Sequence, residues 1–181
     1  MSRQPAFGIA LSTLVLSGVL LAPSIPGHTS TQSPNDEQSL SAVSRQVATS
    51  NSYQTTALEK SVFEQINRYR VSRKLPKLTL NASITRQARI HSRNMARGKA
   101  PFSHEGFERR VYALPLSYKS AAENLAFNRG YNDPANQAVV GWLESPGHLK
   151  NIQGNYNLTG IGVATNQKGE VYLTQIFLRT P

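Results

Sequence analysis

The chain has 181 residues, 39% of them hydrophobic and 17% charged, with 20 Lys and Arg against 10 Asp and Glu for a formal net charge of +10. That length supports one domain of ordinary size with a modest core, and the positive excess, nearly all of it after Thr55, favours anionic partners such as nucleic acid, anionic lipid or acidic polymer. Cysteine is absent, which excludes a disulfide framework, a thiol nucleophile and thiolate metal sites, so any metal would be held by His and carboxylate.

The first segment, Met1 to Phe7, carries one basic residue, Arg3, and no acid. Ile9 to Ala22 is then apolar apart from Ser12, Thr13, Ser17 and Gly18, and Pro23 follows. This is the layout of a signal peptide over residues 1–24, with small residues around Ala22-Pro23-Ser24 for a peptidase. The run is shorter than the ~20 apolar residues a spanning helix needs, which leaves an uncleaved anchor as the alternative. Residues 25–55 are dominated by Ser, Thr, Gln, Asn and Pro without apolar periodicity, and read as a disordered spacer. The folded domain is expected over 56–181.

Leu58, Val62, Ile66 and Tyr69 recur at helical spacing and predict a first amphipathic helix over Ala57 to Ser72, ended by Lys74-Leu75-Pro76. Asn81 is a good N-cap for a second helix, Ala82 to Arg97, stopped by Gly98. Its apolar stripe is Ile84, Ala88, His91 and Met95, and Arg86, Arg89, Arg93 and Arg97 lie opposite. A loop follows over Ala100 to Glu105, then a short helix over Gly106 to Tyr112. Ser120 to Phe127 fits either a strand or an extended loop. Asp133-Pro134 opens a helix running to Glu144, with Ala135, Val139, Trp142 and Leu143 facing inward. Ser145-Pro146 starts a further short helical turn that holds His148. Thr159 to Thr165 and Val171 to Leu178 predict two strands joined at Asn166 to Gly169. Helices first and a hairpin last give an α+β class.

Polar residues concentrate in Phe102-Ser103-His104, Ala122-Glu123-Asn124-Leu125-Ala126 and Trp142-Leu143-Glu144-Ser145-Pro146-Gly147-His148, with Thr159-Gly160-Ile161-Gly162-Val163 beyond them. His104 and His148 each follow loop or turn residues and stand outside any apolar period. Two imidazoles and one or two carboxylates would suit Zn²⁺ or a similar divalent ion, or acid–base work near neutrality, wherever a fold brought them together. His91 lies on an apolar stripe and reads as a core histidine. Glu123 and Asn124 have a structural alternative, holding their own loop, and Trp142 reads as core. Ser103 and Ser145 are better explained as cap and turn formers than as nucleophiles.

The order and spacing of these segments resemble the CAP superfamily, which includes the cysteine-rich secretory proteins, antigen 5 and the pathogenesis-related class 1 proteins, in its bacterial form. Asn67-Arg68-Tyr69-Arg70, His91-Ser92 and Tyr172-Leu173-Thr174-Gln175-Ile176-Phe177 fit the same pattern, so the resemblance covers Leu58 to Leu178. It implies a three-layer α-β-α sandwich with a small antiparallel sheet, and a cleft lined by His104, Glu123, Glu144 and His148. Of these, Glu144 fills the place of the family's second acid, one turn before the second His, as the only acid there.

Three functions stay open on this basis. The first is a non-catalytic, exported binding module at the cell surface, periplasm or exterior. The second is a metal-dependent or acid–base hydrolase of peptide or cell-envelope material, and the third a lipid- or sterol-binding protein. The first is favoured, because no nucleophile and no His-Glu-x-x-His helix is present. A divalent ion on His104 and His148, with Glu123 behind them, would be weak and dissociable. Arg86, Arg89, Arg93 and Arg97 form either a solvated face or a dock for anionic cell-wall polymer or lipid. Nucleic acid is disfavoured, since no exposed aromatics interleave the Arg. Membrane contact is expected only through an uncleaved N-terminal segment.

Overall fold

The computed structural model describes residues 54–181. The expected signal segment and nearly all of the spacer fall on residues 1–53, outside the described residues. The described part of α1 runs over 54–72. Then come β1 (Thr79–Leu80), α2 (Ala82–Ala96), α3 (Phe107–Tyr112), β2 (Ser120–Arg129), α4 (Pro134–Glu144), α5 (Pro146–Gln153), β3 (Leu158–Thr165) and β4 (Glu170–Arg179). The strands form one sheet in the order β1-β3-β4-β2. The β3–β4 hairpin and the β2–β4 pair are antiparallel, whereas β1 adds a two-residue parallel edge, so the sheet is mixed rather than wholly antiparallel.

Alternation along β4 explains the layers. Leu173 and Phe177 face one side and join Val62 and Ile66 of α1, Ala135, Val139 and Trp142 of α4, and Ile152 of α5. Ile176 and Leu178 face the other side and join Ile84 and Ala88 of α2 and Val111 of α3. The stripe Ile84, Ala88, His91 and Met95 is buried as its period requires. On β3 the second face carries Gly160 and Gly162. A Cβ at Gly160 would strike the backbone of Ile84 and Thr85, and one at Gly162 that of Ala88 and Arg89. The helix therefore lies directly on the strand, and Ser92 Oγ donates to the Gly162 carbonyl at 2.9 Å.

Side chains finish the polar ends and edges. Asn81 Oδ1 accepts from Ser83 N and Ile84 N and starts α2, while Asp133 with Pro134 starts α4. β2 is a sheet edge along its full length. Two of its outward carbonyls are taken by α4 and α5, with Trp142 Nε1 donating to Leu125 O at 2.8 Å and Asn151 Nδ2 to Glu123 O at 3.3 Å. That cover blocks edge-to-edge pairing along this stretch. It also resolves the open reading of Ser120 to Phe127, which is a ten-residue strand through Arg129. The turn at Pro146 is likewise longer than expected, an eight-residue helix.

Two residues of the Asn67-Arg68-Tyr69-Arg70 segment lock α1 to the rest. Asn67 exchanges two hydrogen bonds with the backbone of Leu78, at 2.8 and 3.0 Å. Arg70 is 2% exposed and donates to the carbonyls of Pro76, Ile152, Gly154 and Tyr156. Burial lowers its pKa, and the four carbonyls replace the water it loses.

Candidate functional site

His104 stands on the loop between α2 and α3, and that loop is fastened on both sides of it. His91, buried on α2, bonds through Nε2 to the Ser103 carbonyl at 3.0 Å. Arg110 of α3 donates from Nη1 to the Glu105 carbonyl at 2.8 Å. A carbonyl only accepts, so His91 carries its proton on Nε2. Burial first, and then the Arg110 charge, lower the His91 pKa, which favours the neutral ring.

Glu123 occupies the α2–α3 face of β2 with its side chain 1% exposed. A carboxylate so enclosed needs charge-assisted partners. Arg110 supplies a fork, with Nε 3.1 Å from Oε2 and Nη2 2.8 and 2.9 Å from Oε1 and Oε2. His104 Nδ1 lies 3.0 Å from Oε1. An ionised carboxylate can only accept, so His104 Nδ1–H donates and its lone pair sits on Nε2, on a side chain that is 55% exposed.

His148 arrives from the other side of the same strand. Buried Asn124 of β2 donates from Nδ2 to the His148 carbonyl at 3.2 Å, and its Oδ1 accepts from Asn151 Nδ2 at 2.9 Å. These bonds fix the first turn of α5 against the strand edge. The ring is half-buried, and its Nδ1 is enclosed without a hydrogen-bond partner. Burial, and next the charge of His104, lower its pKa. Glu144 is different. It is exposed at the last residue of α4 and makes no hydrogen bond or ion pair among the described residues. The structure thus bonds His104 to Glu123, ties the backbone of His148 to Asn124, the next residue of β2, and leaves Glu144 outside these bonds.

This donor set fits a resident divalent ion poorly. A metal-bound histidine almost always donates its second ring N–H to an acceptor. His104 does so through Glu123. His148 would need to bind through Nε2 while holding a proton on an enclosed Nδ1 that has no acceptor, at a cost of ~1–3 kcal/mol. Among the described residues no group of three or more His, Cys, Asp or Glu is arranged to hold a metal.

The family model of the cysteine-rich secretory protein family, CAP, matches residues 63–177, a span that contains the whole constellation. The chain belongs to the CAP family. Among curated relatives, this CAP chain is 34% identical over 128 residues to an uncharacterized protein, YkwD, of Bacillus subtilis (strain 168), covering 66% of this chain and 47% of the relative. It is 35% identical over 132 residues to an uncharacterized membrane protein, YlbC, of the same strain, covering 70% of this chain and 35% of the relative. The chain thus spans less than half the length of either. Among solved structures, an extracellular protein containing an SCP domain from Bacillus anthracis str. Ames superposes with a TM-score of 0.57 at 27% identity, over 69% of this chain and 41% of that one. An outer surface protein of Borrelia burgdorferi shares the fold alone, with a TM-score of 0.61 at 16% identity over 69% and 94% of the two chains.

Within the CAP domain, sequence reasoning missed Arg110 and Glu59. Arg110 sits thirteen residues from Glu123, and nothing local signals that the two meet. Glu59 of α1 is 8% exposed and grips Arg89 through both oxygens, at 2.8 and 3.1 Å from Nε, while also accepting from Val163 N. Arg89 is therefore committed to an interhelical ion pair. Arg86, Arg93 and Arg97 remain exposed, and the last two border a groove of about 380 Å³ beside the Glu59–Arg89 pair.

Proposed function

We propose that this CAP domain is an exported, extracellular binding module whose recognition centre is the surface around His104 and His148. The observation that carries the reading is the state of Glu123. Its carboxylate is enclosed and spent on Arg110 and His104, so it serves to orient an imidazole rather than to meet a substrate. Ser103 Oγ accepts from Glu105 N, and Ser145 makes no side-chain cap bond. The extracellular placement draws on the sequence of residues 1–24 and on the relative from Bacillus anthracis, which is described as extracellular. No helix among the described residues is long and apolar enough to cross a membrane.

A second reading rests on the same dyad. An imidazole backed at Nδ1 by a carboxylate is the arrangement of an oriented general base. The two readings separate in one experiment. The purified chain and its His104→Ala/His148→Ala variant are incubated with insoluble cell-envelope material, and retained protein and released fragments are both measured. Retention that depends on the two histidines without fragment release supports a binding module. Fragment release that the variant abolishes supports a hydrolase, and equal retention of both proteins without release refutes the proposed centre.

A further inference from the structure

The groove of about 380 Å³ beside the Glu59–Arg89 pair lies where α1, α2 and β3 meet. Arg89 and Arg93 of α2, with Arg97 at its C-cap, line it from one element. Thr55 and Thr56 of α1 and Thr165 of β3 line it from the others. No residue of the His104 loop or of α5 reaches it.

The charges in this groove do not balance. Residues four apart on a helix share a face and stand ~6 Å apart along its axis. Three cations in such a row repel one another. Glu59 is the only acid among the lining residues. Both of its oxygens accept from Arg89, and Oε1 also accepts from Val163 N. Arg93 and Arg97 are exposed, and their side chains make no ion pair among the described residues. The C-terminal end of a helix tolerates cations through its dipole. That tolerance does not explain why both arginines line a concavity walled by hydroxyls. Arg86 of the same helix is also exposed and lies outside the groove.

The donors select among anions. A carboxylate has two oxygens, which one guanidinium fork fills. A phosphomonoester has three terminal oxygens and nearly two charges at neutral pH, so it can engage a fork from each arginine and still accept from a hydroxyl. The groove also has space beyond the phosphoryl group, since a water's share of liquid volume is only ~30 Å³. Its remaining lining includes the small apolar side chains Ala96, Val163 and Ala164, against which a short carbon skeleton fits.

We propose that the groove between α1, α2 and β3 binds a small phosphomonoester, such as a phosphorylated polyol, whose phosphoryl oxygens are held by Arg93 and Arg97. This site is separate from the surface around His104 and His148, and its test does not depend on that reading.

The probe is glycerol phosphate, titrated into the ¹⁵N-labelled chain at pH 7.5 and low salt, with glycolate and glycerol as comparisons. Saturable amide shifts are expected at Ala96, Arg97 and Val163 to Thr165, with glycolate binding more weakly and glycerol not at all. Arg93→Gln and Arg97→Gln are each expected to weaken glycerol phosphate about tenfold, as the loss of a hydrogen bond between charged groups does. Arg86→Gln is expected to leave the affinity unchanged. Absence of saturation, shifts confined to other surfaces, or glycolate binding as tightly as glycerol phosphate overturns the proposal. A loss in Arg86→Gln as large as in the other two variants also overturns it, because net charge alone would then account for the attraction. Flotation with vesicles that contain phosphatidate distinguishes a lipid headgroup from a soluble ligand. Binding to those vesicles without binding of glycerol phosphate rejects the small ligand.

Discussion

Arg110 of α3 holds both carboxylate oxygens of Glu123 on β2, and the same carboxylate holds His104. Three side chains from three elements are thus joined through one enclosed anion. Removing the cation alone would strand a buried charge, whereas replacing both partners would remove the need for either. Arg110→Met should therefore destabilise the domain by about 3 kcal/mol in urea unfolding, and Arg110→Met/Glu123→Leu should recover a large part of that loss. A double variant less stable than the single one would show that Glu123 has other essential partners.

Arg70 presents the opposite case, a buried cation with no carboxylate. Its guanidinium closes four carbonyls that come from the segments at 76 and 152–156. Arg70→Met keeps the aliphatic stem and orphans those acceptors. The expected cost is several kcal/mol, because a hydrogen bond to a charged group contributes ~1.5–3 kcal/mol and four are lost. Arg70→Lys should recover only part of it, because an ammonium lacks the planar fork. Thermal unfolding of the two variants within a few degrees of wild type would contradict this account.

Much of the fold was legible in the sequence, because it depends on period and punctuation. The stripes Val62–Ile66 and Ile84–Ala88–Met95, the cap at Asn81 and the proline at 134 all act locally, and each stands where its chemistry requires. β2 was ambiguous because its two faces are unusual. One holds Glu123, which partners thirteen and nineteen residues away make tolerable, and the other holds Asn124, buried for its bonds to α5. Alternation of apolar and polar residues cannot reveal such a strand. The same limit applied to Arg89. Its helical position put it among exposed cations, and only the packing of α1 across α2 brings Glu59 to it. Spacing and family pattern pointed to His104, Glu123 and His148 as candidates, and the structure bonds the first two to each other. The bond from Glu123 that orients the His104 ring joins residues nineteen apart and depends on the packing of β2 against the loop before α3.

Acid should weaken the domain through His91 and His148, whose folded pKa values are both lowered, chiefly by burial. The unfolded chain then takes up protons first as the pH falls through ~6.5. The stability linked to these rings is complete above that value and is lost as the pH drops toward the lowered folded values. The charges of Arg110 and His104 add to the lowering at His91 while that of Glu123 opposes it, and the charge of His104 adds to it at His148. The midpoint of urea unfolding should fall between pH 7.5 and pH 5.5, and the fall should be smaller in a His148→Gln variant. A midpoint that rises on acidification would reverse the sign of the argument.

The Glu59–Arg89 pair divides the basic face of α2 into two roles. Arg89 is tied to a carboxylate that also accepts from Val163 N, so its removal acts on the joint between α1, α2 and β3. Arg93 and Arg97 are exposed beside the groove and retain their charge for an outside anion. Arg93→Gln/Arg97→Gln should therefore weaken retention on dextran sulfate and leave the unfolding midpoint within about 0.5 kcal/mol of wild type, as surface changes usually do. Arg89→Gln should do the reverse, lowering stability by about 1–3 kcal/mol through the partners it leaves buried while changing retention little. Wild-type retention should fall with added salt, because exposed charges are screened over ~10 Å at 0.1 M. Equal loss of retention in both variants, with stability intact in both, would mean that Arg89 leaves Glu59 to meet the anion and that the division is wrong.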